Sequence, residues 1–221
     1  MSADASAKTP SRDDRWQAFV AVPTRCIALR WLCDCLGDVA DEATQQSLAC
    51  HPRFRQRLAQ RLIQQHGLTS PDALPIPGED DLPLFLLSPN AGDILVKYSG
   101  MICHAMAFVR EIRAPRVIEL KQRFGESSFV TALANRDLAI HQGPYTDDDA
   151  LEYAVLRDGV ACLAIWLAQQ PAELAAWLRL GLASDPRLAD ADISPEVREH
   201  GVAIIRRAAA VILDDPAEEP V

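Results

Sequence analysis

The sequence predicts an all-α protein: a single, mainly helical domain of about eight to ten helices with a Pro-rich connector and flexible termini. Three observations predict it. Apolar residues recur at helical spacing through most of the 221 residues, no run of alternating β-branched residues competes with them, and caps and breakers separate the periodic segments. The 49% hydrophobic and 24% charged content suits a chain that buries a core. At this length one compact domain fits better than two. The expected division is a tail over residues 1–12, a helical body over 13–213 with its connector at about 70–90, and an acidic tail over 214–221.

Ser11, with Asp14 three residues on, caps a first helix that carries Trp16, Phe19 and Val20. Pro23 interrupts it, and Thr24 restarts a helix toward Leu36, ahead of Gly37. Pro52 opens a helix with Phe54, Leu58, Leu62 and Ile63, closed by Gly67. Prolines at 71, 75, 77, 83 and 89 mark the connector, whose Leu82, Leu84, Phe85, Leu86 and Leu87 predict that it lies against the body.

The clearest helix covers residues 93–113, where Ile94, Tyr98, Met101, Ile102, Ala105, Val109 and Ile112 share one stripe, as a central core helix does. Pro115 starts the next, with Val117, Ile118, Leu120 and Phe124 before Gly125. A further helix carries Phe129, Val130, Leu133 and Ile140 toward Gly143 and Pro144. Thr146 followed by Asp147, Asp148 and Asp149 places a cap and three anions at the N-terminus of a helix that reaches Gln169. Residues 171–180 form a shorter amphipathic helix ended by Gly181. Ser194, Pro195 and Glu196 open the last one, with Val197, Ile204, Ile205, Ala208, Val211 and Ile212.

Charge and composition narrow the function classes. With 31 acidic against 22 basic residues the net charge is -9, which raises the cost of approaching a phosphate backbone or an anionic membrane. Arg53, Arg57 and Arg61 follow helical spacing, and together with Arg55 they have no interleaved aromatics, so they read as a solvated helix face rather than a nucleic-acid platform. The longest charge-free run, residues 159–172, is shorter than the roughly 20 apolar residues that cross a bilayer. Residues 1–15 lack the apolar centre of a secretory signal, so export by that route is not expected. Six cysteines scattered through apolar segments read as reduced thiols of a cytosolic protein.

Few residues suggest chemistry. Cys33, Cys35, Cys50 and His51 are ligand types that tetrahedral zinc prefers, but a Cys-x-Cys pair on a helix points its sulfurs about 200° apart. They read as packing cysteines. Cys103 and His104 are adjacent on the central helix and so do not face each other, which makes His104 a helix-surface or satisfied interface histidine. Asn135, Arg136, Asp137 and His141 form a second polar cluster. Asp137 and His141, four apart, read as a local ion pair steadying a helix end rather than as a base with its orienter. Asp147 to Asp149 are too contiguous for an EF-hand loop. There is no phosphate-cradling glycine loop, no dinucleotide fingerprint and no His-Glu-x-x-His, so no catalytic, cofactor or metal residue is assigned.

One resemblance emerges from the order of segments. A Leu-Pro-rich connector (Leu74, Pro75, Leu82, Pro83) precedes a helix reading Ile94-Leu-Val-Lys-Tyr-Ser-Gly100-Met-Ile-Cys-His104, with Arg110 following, and then a helix ending at Phe124-Gly125. After Gly143 and Pro144 come Gly159-Val-Ala-Cys-Leu-Ala-Ile-Trp166-Leu-Ala168, a proline, and Trp177-Leu-Arg-Leu-Gly-Leu182. Over about residues 25–185 this resembles the YscK-like (SctK) proteins of bacterial type III secretion systems. It departs from them in its longer polar N-terminus, its final helix and its acidic tail. The resemblance implies a non-enzymatic cytoplasmic adaptor of the sorting platform, peripheral to the inner-membrane apparatus. Such an adaptor links the inner-membrane ring protein to the pod (cytosolic ring) protein, without cofactor, nucleic acid or membrane insertion.

Alternatives are a small helical metal-dependent or hydrolytic enzyme using His104, His141 or the Cys33, Cys35, Cys50 set, and a helical DNA-binding regulator. For partner contact the connector and the short helix near Trp177 stand out, with Leu84, Phe85 and Trp177 as anchors; the other reading of these residues is that they complete the core. Trp166, in the most apolar helix, is expected to be buried.

Overall fold

The computed structural model describes residues 11–37, 41–183 and 185–214, so the first ten residues and most of the acidic tail lie outside the described residues. Among the described residues there are twelve α-helices, five single 3-10 turns and no strand. Nine of the helices have eight or more residues, in line with the expected eight to ten.

The N-terminal half is made of short pieces. Helix α1 (Arg12–Ala21) begins at a capping box: Ser11 Oγ accepts from Asp14 N, and the Asp14 carboxylate accepts from Ser11 N. Pro23 ends it as expected, and a 3-10 turn leads to α2 (Leu29–Asp34). Next come α3 (Glu42–Cys50) and α4 (Arg55–His66), the latter closed by Gly67 at φ 60°, the left-handed position glycine adopts at no steric cost. Arg53, Arg57 and Arg61 stay on the exposed side of that segment. The connector contains α5 (Leu82–Leu86) and is packed down as predicted: Leu82, Leu84, Phe85 and Leu87 are all buried.

The centre is built by α6 (Ala91–Cys103), α10 (Asp148–Ala168) and α12 (Pro195–Asp214). Between α6 and α10 lie α7 (Ala105–Val109), α8 (Ala114–Phe124) and α9 (Glu126–Ala134); α11 (Ala172–Arg179) follows α10. From Val155 to Leu167 helix α10 is buried on almost every side, as an all-round apolar helix must be. Two apolar clusters flank the α6–α10 pair. The larger gathers residues of α1, α4, α5, α11 and α12 with Trp166; the smaller unites Met101, Phe108, Leu120, Phe124, Phe129 and Leu151.

Two glycines let the central pair meet. A Cβ built on Gly100 falls within 3.0 Å of the Val155 carbonyl, and one built on Gly159 falls within 3.0 Å of the Val96 carbonyl. Each glycine therefore lies against the backbone one turn before the other. One turn further on, the Cys103 and Cys162 sulfurs are 3.6 Å apart. Helix α12 also approaches α10 at a glycine, Gly201, which lies over Cys162.

Upstream, α2 starts at Leu29 and not at Thr24, which lies in the 3-10 turn, and α3 is a helix that the sequence reading did not expect. In the central region three boundaries differ from expectation, each for a stated reason. The helix expected over 93–113 breaks at His104, because the Cys103 carbonyl accepts from the Ile140 and His141 amides instead of continuing the ladder. It ends at Val109, which leaves Ile112 88% exposed and off the core stripe. Helix α9 stops at Ala134; a 3-10 turn over Arg136–Leu138 follows, and residues 139–147 run as an irregular strap, so Ile140 is not helical.

The acidic run at α10 does what its position predicted, with Asp147 rather than Thr146 as the cap: its side chain accepts from Ala150 N at 2.8 Å. It also ties α8 to α10, since Asp148 pairs with Arg116, and Asp149 and Glu152 with Arg123. The Arg116 guanidinium, hydrogen-bonded to Asp148, holds that carboxyl below its usual value. A depressed folded pKa contributes stability above the unfolded value and loses it as pH falls through the folded one. Arg116→Ala is therefore expected to cost up to about 1 kcal/mol at neutral pH, and the deficit should close as pH drops below about 4. Urea denaturation of both proteins across pH 3–7 checks this; a deficit independent of pH would assign it to packing.

Candidate functional site

The crossing of α6 and α10 fixes the most chemically distinctive group of side chains. His104 lies one turn beyond Gly100, and Asp158 is the residue before Gly159, so the approach that needs both glycines brings this imidazole to this carboxylate. His104 Nε2 and Asp158 Oδ2 are 2.9 Å apart, with both residues 1% exposed. The third member comes from the strap. The His141 amide bonds to the Cys103 carbonyl, and the His141 ring stacks on His104 with centroids 4.6 Å apart. Its Nε2 reaches 2.9 Å from the same Asp158 Oδ2, but off the line a hydrogen bond requires.

Two further residues complete the cluster. Tyr145, also from the strap, hydrogen-bonds through its hydroxyl to His104 Nδ1. Arg157 wraps onto Asp158 from the next position of α10, with Nε 2.7 Å from Oδ1 and Nη2 3.1 Å from Oδ2. Arg110 anchors the strap by donating to the Gln142 carbonyl at 2.6 Å and to its side-chain oxygen at 2.7 Å.

Electrostatics follow from this packing. Burial pushes the Asp158 carboxyl up, but the hydrogen bonds from His104 and Arg157 and their charges outweigh it, leaving its pKa at about 2. Asp158 is thus an anion held inside the fold, which is tolerable only because it is paired and hydrogen-bonded. Burial, helped by the neighbouring His104, moves His141 below the ordinary histidine value and keeps it neutral near pH 7. Burial and the negative Asp158 raise the Tyr145 phenol to about 12. The Cys103 thiol is pushed far up by its hydrogen bond to Cys162 and by burial, so it is no nucleophile.

The sequence-derived candidates fare unequally. Of the two readings of His104, the satisfied interface histidine holds and the helix-surface one does not: it is buried and bound to Asp158, because the break after Cys103 turns it inward. The expected Asp137–His141 pair does not form as a helical i, i+4 contact, because α9 ends before it and the strap carries His141 to Asp158 instead. Cys33, Cys35 and Cys50 form no disulfide among the described residues and differ in surroundings, half-buried, buried and exposed. Among the described residues the set that brings three potential metal ligands together is His104, His141 and Asp158, with ligand atoms within 4.8 Å of one another.

Leu84, Phe85 and Trp177, expected as partner anchors, are 1, 2 and 2% exposed. They belong to the core: Trp177 donates through Nε1 to the Thr69 carbonyl at 2.9 Å, and Phe85 packs edge-on against Trp16 and Trp166. Burying these three removes more apolar surface from water than display to a partner does in the free chain.

Sequence reasoning missed Asp158, Arg157 and Tyr145. A signal existed for the first. Asp158 falls on the buried stripe of α10 with Leu151, Val155, Cys162 and Ile165, and an acid on an apolar stripe demands an internal partner. Compared with known protein families, with curated proteins and with solved structures, the chain matches none of them.

Proposed function

We propose that the chain is a non-enzymatic adaptor of the bacterial type III secretion sorting platform, linking the inner-membrane ring protein to the pod protein on the cytosolic side of the apparatus. The observation that supports this reading is where its resembling stretches lie. The segment from Ile94 to Arg110 supplies α6 and α7, and the segment from Gly159 to Leu182 supplies the second half of α10 and all of α11. Their glycines and tryptophans, Gly100, Gly159, Trp166 and Trp177, are spent on helix crossing and core burial. A pattern of that kind specifies a rigid helical body, and an adaptor acts through the surface such a body presents.

Charge is compatible with this role. A net charge of -9 lets the protein orient against basic partner surfaces, where complementarity governs encounter more than affinity. No helix among the described residues is long and apolar enough to cross a membrane, so the proposed attachment to a membrane-embedded apparatus runs through protein contacts. Mild crosslinking in the native cells, followed by capture of the tagged protein and mass spectrometry, is expected to recover a ring protein and a pod protein. Effector secretion that persists at its normal level after deletion of the gene would overturn the reading.

A further inference from the structure

We propose that His104, His141 and Asp158 form a binding site for a single divalent cation of the zinc type. This inference is independent of the adaptor reading, because it rests on side-chain chemistry alone.

The ligand set is the first argument. Two imidazoles and one carboxylate are donors that zinc and its first-row neighbours accept, with three protein ligands leaving a position for water. The three come from separate pieces of backbone, the α6–α7 break, the strap and α10, and each is fixed there by backbone structure: the Cys103 carbonyl holds the His141 amide, and the paired glycines hold Asp158 opposite His104. Their ligand atoms already lie within 4.8 Å of one another. Tetrahedral coordination at about 2.0–2.1 Å sets ligand atoms about 3.4 Å apart. The present 2.9 Å separations on Oδ2 need to open by about half an ångström, and the His141 ring, stacked on His104 at 16° between planes, must turn so that both nitrogen lone pairs meet at one point.

The second argument is an unmet polar atom. His141 Nε2 is shielded from solvent and sits 2.9 Å from Asp158 Oδ2 without the alignment of a hydrogen bond. A buried nitrogen in that condition is costly unless something occupies its lone pair. A cation between the two imidazoles and Oδ2 does so.

The surroundings are those of a ligand shell. With Nε2 of His104 on a cation, Nδ1 must carry the proton, and Tyr145 Oη stands where it accepts that proton's hydrogen bond. Arg157 donates chiefly to Oδ1, at 2.7 Å, and a carboxylate offers about four lone-pair sites, so Oδ2 keeps one for a cation. The His141 side chain is 24% exposed, which gives the site a path to solvent.

The test uses the full chain, stripped with a chelator and titrated with Zn²⁺ in a calorimeter, with Co²⁺ absorption as a second readout. The expected result is one equivalent bound, with the visible Co²⁺ band of a tetrahedral nitrogen–oxygen site, and binding at least tenfold weaker in His141→Ala. His141 is the preferred position because its partly exposed ring can be removed without opening the core, whereas His104→Ala risks the fold; circular dichroism of each variant confirms helicity. Asp158→Asn serves as a second variant, expected to weaken binding in the same direction. Absence of binding at 100-fold molar excess of Zn²⁺ overturns the proposal. So does binding that His141→Ala leaves unchanged, or that Cys50→Ala abolishes while His141→Ala does not.

Discussion

Gly159→Ala is expected to lower the unfolding free energy by about 3 kcal/mol, near the top of the range for overpacking a close-fitted interior. In an isolated helix this substitution gains about 1 kcal/mol of propensity. Here the added methyl meets a backbone carbonyl, that of Val96, inside the distance any real Cβ tolerates, and a carbonyl in the middle of α6 cannot swing aside as a side chain can. The helices must separate, and every contact along α6 and α10 loosens with them. Gly100→Ala does the same from the other side, against the Val155 carbonyl. Gly78→Ala is the control, because its Cβ meets only Asp81 Oδ2 at 3.6 Å, an ordinary contact; its change should stay within about 1 kcal/mol. Urea denaturation at constant m value measures all three. A neutral Gly159→Ala would mean that the two helices are not in backbone contact.

The second large effect is at Trp166. Its ring is 0% exposed, packs against Phe85 with centroids 5.9 Å apart, and belongs to the larger cluster. Its Nε1 donates at 2.8 Å to Asp81 Oδ1, and the same carboxylate receives Arg206 Nε at 2.7 Å and Nη2 at 2.9 Å. The indole therefore joins the connector to α12 through Asp81 as well as filling space. Trp166→Ala is expected to cost about 3 to 5 kcal/mol, since neighbours fixed on three helices cannot collapse into the gap. Trp166→Phe keeps most of the apolar volume and loses the hydrogen bond to a charged group, so about 1 to 3 kcal/mol is expected. A loss under about 1 kcal/mol for Trp166→Ala, read from the denaturation midpoint, would show that the ring is not part of the packed centre.

Local signals that require no long-range partner were legible. The Ser11 capping box, the stop at Gly67, the start at Pro195 and the anions before α10 rest on contacts within four residues, and each lies where spacing and residue type put it. The apolar period identified α6 as a core helix and the most apolar segment, in α10, as the one that buries Trp166, and the leucines of the connector declared that it packs down, because apolar area must leave water somewhere. These features, the all-helical class among them, were determined by the sequence itself.

What only the tertiary structure decided lies where two distant segments compete for one backbone or side-chain group. The stripe over 93–113 looks unbroken because periodicity reports which face is apolar, not whether the Cys103 carbonyl is claimed by amides 37 and 38 positions later. That diversion ends α6 and turns His104 inward. It also brings in His141, which sequence spacing had paired with Asp137. Asp158 receives its partners from residues 54 and 17 positions upstream, and the glycines that bring the helices together give no local sign that each faces the other's neighbour. Leu84, Phe85 and Trp177 carry the same composition whether they bind a partner or complete a core; the packing of α1, α5 and α11 makes them core. The physical reason is common to all of these: a helix is specified by bonds four residues apart, whereas a site is specified by loop closure over tens of residues, whose outcome depends on the sum of the packing and not on any one segment.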